Sequence, residues 1–232
     1  MTLTRNFTLP IACLSLAAPA IAHTVWLQPD RAAGTWHVLF GGHQGAINSY
    51  PAQKHRTVTA LGADGKALKV SRSIAKDGVH LEIAGKPSLI LAHYDNGIHT
   101  RRSDGPSIEK PMNEVPTALG AARAIKYHKT IAAWTPVVTK AQAQPFELVP
   151  LSAAQPVDGK PIRLRVLIGG KPAAGIALSR NEEGKDALTD ASGMASFTPA
   201  KGFNKIWSGK RTAIKGNAAY TAESIEYSLG FF

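Results

Sequence analysis

Val79-His80-Leu81-Glu82-Ile83-Ala84-Gly85-Lys86-Pro87-Ser88-Leu89-Ile90-Leu91-Ala92-His93-Tyr94-Asp95-Asn96-Gly97 decides how the rest of this chain is read. Two short apolar-alternating runs, Val79–Ile83 and Ser88–Tyr94, are separated by Gly85-Lys86-Pro87 and closed by Asp95-Asn96-Gly97. Short runs of this kind bounded by Gly, Pro, Asn and Asp read as strands and turns. The same punctuation recurs outward in both directions, at Gly41-Gly42, Ala63-Asp64-Gly65-Lys66 and Lys76-Asp77-Gly78. Thr35–Phe40, Thr57–Leu61 and Ile125–Trp134 are further strands, and Thr117–Ala124, rich in alanine, is the one stretch with a helical look. Many strands with Asp-Gly-type turns at this spacing predict an all-β protein of sandwich type.

Lys140–Pro145 is polar and strandless, and marks a boundary. Beyond it lie strands at Phe146–Val149, Ile162–Ile168, Ile176–Arg180, Met194–Phe197 and Tyr220–Leu229, with hairpin signals at Gly169-Gly170-Lys171-Pro172 and Asp190-Ala191-Ser192-Gly193. The expected organisation is two β-sandwich domains in series, an Ig-like one over 23–142 and a second over 143–232.

Residues 1–22 read as a cleaved signal peptide. Arg5 precedes the apolar run Leu9–Ala18, and Ala20-Ile21-Ala22 supplies the small-x-small cleavage site. The run is too short to span ~30 Å of hydrocarbon, and Pro10-Ile11-Ala12 before Cys13 makes a poor lipidation site. The expected location is therefore the periplasm, with His23 as the first mature residue. Cleavage keeps all 8 histidines and removes the single cysteine, which excludes disulfides, thiolate metal sites and a cysteine nucleophile. The formal charge of +11 loses one unit with Arg5. No run of Lys and Arg exceeds two residues, so a nucleic-acid partner is not expected.

The order of Phe146-Glu147-Leu148-Val149-Pro150, Gly159-Lys160-Pro161, Arg165-Val166-Leu167, Gly170-Lys171-Pro172-Ala173-Ala174-Gly175 and Thr189-Asp190-Ala191-Ser192-Gly193-Met194-Ala195-Ser196-Phe197 carries a resemblance. It resembles the C-terminal half of a periplasmic β-domain family linked to nickel and cobalt uptake, the nickel uptake substrate-specific family. It is also similar to transthyretin-like, carboxypeptidase-regulatory modules. Ala22-His23-Thr24-Val25-Trp26-Leu27-Gln28-Pro29, Asp95-Asn96-Gly97 and Lys126-Tyr127-His128-Lys129 extend the resemblance to the N-terminal half. The resemblance implies metal handling in support of an inner- or outer-membrane transporter, with nickel or cobalt as the ion.

The residues argue for metal separately. Cleavage after Ala22 would release an α-amino group on His23, and that nitrogen can chelate one ion together with ring Nδ1. Imidazole and amine nitrogens suit Ni, Co, Cu or Zn better than Mg or Ca. If consecutive strands run antiparallel, His23, His43, His93, His99 and His128 all fall at one end of the first domain, and His55 and His80 fall near it. His37 falls partway along its strand and is expected to matter little. The expected ligands are His23, then His93 and His99, then His43 and His128, with Asp95 as a turn residue or a supporting partner. Taken singly, each strand histidine also fits a surface or hydrogen-bonded core role.

Catalytic signatures are absent: there is no Gly-x-Ser-x-Gly elbow, no His-Glu-x-x-His helix and no phosphate-cradling loop. The expectation is a metal-binding protein that is not an enzyme. A copper carrier or copper-dependent oxidative enzyme built on His23, and a metal-free interaction module, stay open as alternatives. The intact mass of the exported protein should match residues 23–232. Retention of residues 1–22, or a lipid on Cys13, would overturn the export argument.

Overall fold

The computed structural model describes residues 23–42, 46–181 and 184–232. Residues 1–22, with the expected cleavage site, and His43 lie outside the described residues. The strands are β1 (Thr24–Asp30), β2 (Thr35–Gly41), β3 (His55–Leu61), β4 (Ala67–Leu68), β5 (Val70–Ala75), β6 (Gly78–Ile83), β7 (Leu89–Arg102), β8 (Ile108–Glu109) and β9 (Ala118–Ile131). They continue with β10 (Phe146–Pro150), β11 (Ile162–Ile168), β12 (Lys171–Pro172), β13 (Ala177–Ser179), β14 (Ala187–Leu188), β15 (Met194–Phe197), β16 (Asn204–Ala213) and β17 (Ala222–Phe231). Among the described residues, the helical segments are short 3-10 turns such as Ala52–Lys54 and Pro136–Thr139. No described helix is long and apolar enough to cross a membrane.

The all-β class predicted from the turn spacing holds. A nine-stranded sheet, β14-β13-β16-β17-β9-β7-β3-β4 with β8 beside β7, forms the centre. An antiparallel four-stranded sheet, β1-β2-β6-β5, covers one face. A second, β10-β11-β12 with β15 also on β11, covers the other. Alternation along the strands explains the layering, because successive side chains point to opposite faces. In β7, Ile90, Ala92 and Tyr94 pack with Val25, Leu27, Val38, Phe40, Val79 and Leu81 of the first outer sheet. Leu89 faces the opposite way, into a core with Ile131, Phe146, Leu148, Leu164, Val166, Leu229 and Phe231.

Two cores thus stand where two domains were expected, but they share one sheet. After β10 to β15 the chain returns as β16 and β17, and β17 pairs in parallel with β9 from Ala222↔Ala122 to Phe231↔Ile131. The second core takes Leu89, Ile131, Val137 and Val138 from before residue 143 as well as strands after it, and the central sheet runs across that position.

Two local expectations are corrected. Thr117–Ala124 is not helical: Ala118 onward is strand, paired with β7 and, from Ala122, with β17 as well. Pairing on both edges outweighs alanine's intrinsic helix preference. Asp95-Asn96-Gly97 does not end its strand either. The β7–β9 register shifts between Asp95 and Gly97, and Gly97 takes φ +83°, so the extra residue is absorbed as a bulge and β7 runs on to Arg102.

Buried polar groups fix the layers together. Lys129, fully buried, donates to Glu147 Oε1 at 2.6 Å and to the Leu148 carbonyl at 3.0 Å. The Glu147 carboxylate also accepts from the Gln142 backbone at 2.8 and 2.9 Å. On the other face, Lys126 meets Glu226 at 2.6 Å. His128 joins three strands. The Leu27 N–H can only donate, so His128 Nε2 accepts it at 3.2 Å, along with the Thr130 hydroxyl at 2.6 Å. Nδ1 then carries the ring proton and donates to Ser228 Oγ at 2.7 Å, and that hydroxyl donates to the Val25 carbonyl.

Glu147→Ala should cost about 3–5 kcal/mol, because it strands the Lys129 charge in the core. A Lys129→Met/Glu147→Leu double variant should be close to wild type in urea unfolding. Acid should also destabilise the fold. Burial pushes the His128 ring down to about 3, against a bond to Ser228 that raises it, and pushes His55 down to about 4, with Arg72 adding to the effect. Above the reference value of ~6.5 both rings are neutral whether folded or unfolded. As pH falls below that, the unfolded chain takes up protons that the folded chain refuses, so stability declines towards pH 4. Urea midpoints should fall between pH 7 and pH 4.5, and His128→Ala, itself costing roughly 2–4 kcal/mol at pH 7, should flatten that dependence.

Candidate metal centre

Among the described residues, one group of three or more His, Cys, Asp or Glu side chains brings its donor atoms within 4.8 Å of one another: His37, Asp77 and His80. The sheet puts them there. β2 pairs with β6 so that His37 lies directly opposite His80. The same cross-strand row continues to Gln28 on β1 and to Ser73 on β5. Val38, Val79 and Leu81 point inward to the core, so His37 and His80 point outward. Their rings stack, with centroids 4.4 Å apart and planes 12° from parallel.

Asp77 stands in the Lys76-Asp77-Gly78 turn that joins β5 to β6, and it faces both ring edges. His80 Nε2 donates to Asp77 Oδ1 at 2.9 Å, and His37 Nε2 donates to the Asp77 carbonyl at 3.0 Å. The bond from His80 holds the Asp77 carboxyl below its ordinary range, with further lowering from its own backbone and from the His80 and His37 rings. Asp77 is therefore an anion at neutral pH. Gly78, at φ +131°, is required here: a Cβ would come within 3.2 Å of His37 Nε2 and 3.5 Å of the Tyr50 hydroxyl. Tyr50 braces the turn by donating to the Val38 carbonyl at 2.8 Å and accepting from Val79 N at 3.3 Å.

This set offers two imidazole nitrogens and one carboxylate oxygen, the mixture that suits a divalent transition metal. Donors around a tetrahedral ion with ~2.0–2.1 Å bonds lie roughly 3.3–3.4 Å apart. Closure from 4.8 Å asks only for small side-chain rotations. Asp77 is 62 % exposed, whereas His37 and His80 are 20 % and 17 % exposed, so an ion would approach from solvent over the turn. Beside His37 a cleft of about 570 Å³ is lined by Gln28, Asp30, Arg31, Leu39, Phe203 and Phe232.

The expected ligands lie elsewhere, and no three of His23, His93, His99 and His128 form such a group among the described residues. His128 is buried, with both of its nitrogens hydrogen-bonded to protein partners. His93 stacks on Tyr127 at 4.9 Å, on the face of the central sheet opposite Ala92 and Tyr94. His99 donates from Nε2 to the Asn96 carbonyl at 2.9 Å, which Lys54 also reaches at 3.1 Å. Asp95 lies within 3.6 Å of Arg56 and 3.8 Å of Arg123. His23 stacks on Phe40 at 5.2 Å.

His37 and His80 escaped the sequence reading because strand parity gives a position along the sheet axis but not which strands are neighbours. β2 pairs with β6, which lies four strands later in the chain, and that pairing alone sets the two rings side by side. The available signal was local: Asp77-Gly78-Val79-His80 places a carboxylate and an imidazole at the two ends of one tight turn.

A family described as a domain of unknown function (DUF4198) matches residues 20–204. An uncharacterized protein of Haemophilus influenzae is 35% identical over 212 residues, which covers 91% of this chain and 91% of that one. No solved structure matches. On both likenesses, the chain belongs to the DUF4198 family.

Proposed function

We propose that this protein binds a divalent transition-metal ion at His37, Asp77 and His80, as a carrier or presenting protein with no catalytic step of its own. The observation that carries the reading is the convergence of two outward-facing imidazoles and an anionic carboxylate on one tight turn. Ion pairs and hydrogen bonds also gather such groups, but here the two rings are stacked and share a single acceptor residue. An ion that replaced the ring protons would relieve that crowding. By donor strength alone copper would bind tightest, with nickel, cobalt and zinc below it. The preference for nickel or cobalt, the periplasmic setting, a transporter as recipient and a transthyretin-like character for the second half rest on the sequence resemblance.

The test is a calorimetric titration of the exported protein with Ni, Co, Cu and Zn. His37→Ala and His80→Ala should each weaken binding at least tenfold. Asp77→Asn should weaken it less, because the amide oxygen keeps the position without the charge. Affinity should fall in acid as protons compete for the imidazoles. Unchanged affinity in a His37→Ala/His80→Ala variant would overturn the assignment.

A further inference from the structure

Two neighbouring strands of the central sheet, β3 and β7, each carry one extra residue close to the other's. The β3–β7 register shifts between His55 and Thr57, which leaves Arg56 without a ladder partner on β7, and the β7–β9 register shifts between Asp95 and Gly97. Bulges bend a strand and re-aim its side chains, and they gather beside active sites. Arg56 and Asp95 stand at these two bulges, and Arg123 on β9 reaches the same carboxylate from the other side of β7.

Asp95 Oδ1 accepts from the Gly97 N–H at 3.0 Å, and Oδ2 lies 3.6 Å from Arg56 and 3.8 Å from Arg123. Those last two distances are too long for hydrogen bonds. Among the described residues neither guanidinium has a hydrogen-bond partner, so two rigid forks of donors are held near one carboxylate with their capacity unspent.

Both arginines line a cleft of about 330 Å³, together with Lys110, Ile98 and Pro111. That volume lies within the ~300–1,000 Å³ of small-molecule sites and is roomy for a lone inorganic oxyanion. The carboxylates at the cleft are already engaged. Asp95 faces both guanidinium groups, and Glu109 Oε2 accepts from Lys54 at 2.6 Å. Glu109 Oε1 leans over Gly97, where a Cβ would come within 2.6 Å of it, so the glycine at φ +83° keeps this contact possible. Glu223 lies across from Arg123 on β17 but does not line the cleft. The groups left to meet a ligand are therefore Arg56, Arg123 and Lys110, three cations beside two apolar side chains.

We propose that this cleft binds a small organic acid with two or more carboxylate groups. Arg56 and Arg123 each take one carboxylate through a planar, two-pronged contact, the geometry that distinguishes arginine from lysine. Lys110 adds a third charge, and Ile98 and Pro111 cover the carbon chain. This site is separate from the His37 centre and does not depend on it.

The experiment is a calorimetric titration of the exported protein with succinate and with citrate, and in parallel with acetate and inorganic phosphate, all without added metal. Succinate or citrate should bind one to a chain, at least tenfold more tightly than acetate or phosphate, and more weakly as sodium chloride is raised. Arg56→Gln and Arg123→Gln should each weaken binding at least tenfold. Arg123→Lys should also weaken it, because the charge stays while the fork is lost. Arg56 and Arg123 are 53 % and 41 % exposed, so these variants keep the core intact. Lys66→Gln, on a distant exposed turn, should change nothing. Failure of both succinate and citrate to bind saturably would overturn the proposal. So would phosphate or acetate binding as tightly as they do, or affinity unchanged in an Arg56→Gln/Arg123→Gln variant.

Discussion

A relay of hydrogen bonds through His128 holds the first strand to the centre of the molecule. The Leu27 N–H, the His128 ring, the Ser228 hydroxyl and the Val25 carbonyl form one chain across β1, β9 and β17. It satisfies an outward-turned N–H and a carbonyl of an edge strand that would otherwise be buried unpaired. The rest follows from where it places β1. β1 sets the register of β2 from Thr24↔Gly41 to Asp30↔Thr35, and β2 in turn sets β6 through His37↔His80. The surface triad on one side of the outer sheet and the stack of His23, Phe40 and Tyr94 on the other are therefore both consequences of one anchored strand.

The central sheet faces two cores, and its polar residues show how strictly its register is held. Lys126 and Lys129 lie on opposite faces of β9, each bonded to a carboxylate of a different partner strand, Glu226 on β17 and Glu147 on β10. A slip of one residue would turn both ammonium groups away from their partners and into apolar surroundings. Buried pairs of this kind add little net stability compared with apolar packing. Their contribution lies in excluding wrong pairings of a long strand whose first half, Ala118–Ala124, has weak preferences of its own.

The exposed triad and the enclosed His55 and Tyr94 are chemically unlike. His37, Asp77 and His80 sit over a turn, open to water, with their hydrogen bonds made to one another. An ion bound there would exchange readily, which suits the proposed carrier role. His55 and Tyr94 are enclosed, and their polar atoms lack described partners. Membership of the DUF4198 family adds no activity to this comparison, so the chemistry of the side chains carries it.

Much of the fold was legible in the sequence because it depends on short-range physics. Turn residues and alternation located most of the strands, since these are set by backbone preferences of a few adjacent residues. The segments that misled, Thr117–Ala124 and Asp95-Asn96-Gly97, are those where pairing with a sequence-distant strand overrode local preference. Of the histidines, the sequence singled out the position of His23 beside the expected cleavage point. It could not separate His128, a core hydrogen-bond connector, from His37 and His80, whose donors converge. That distinction depends on which strands lie side by side and which face each ring takes. Only the packing of three layers decides it, because cross-strand neighbours here are up to 100 residues apart in the chain.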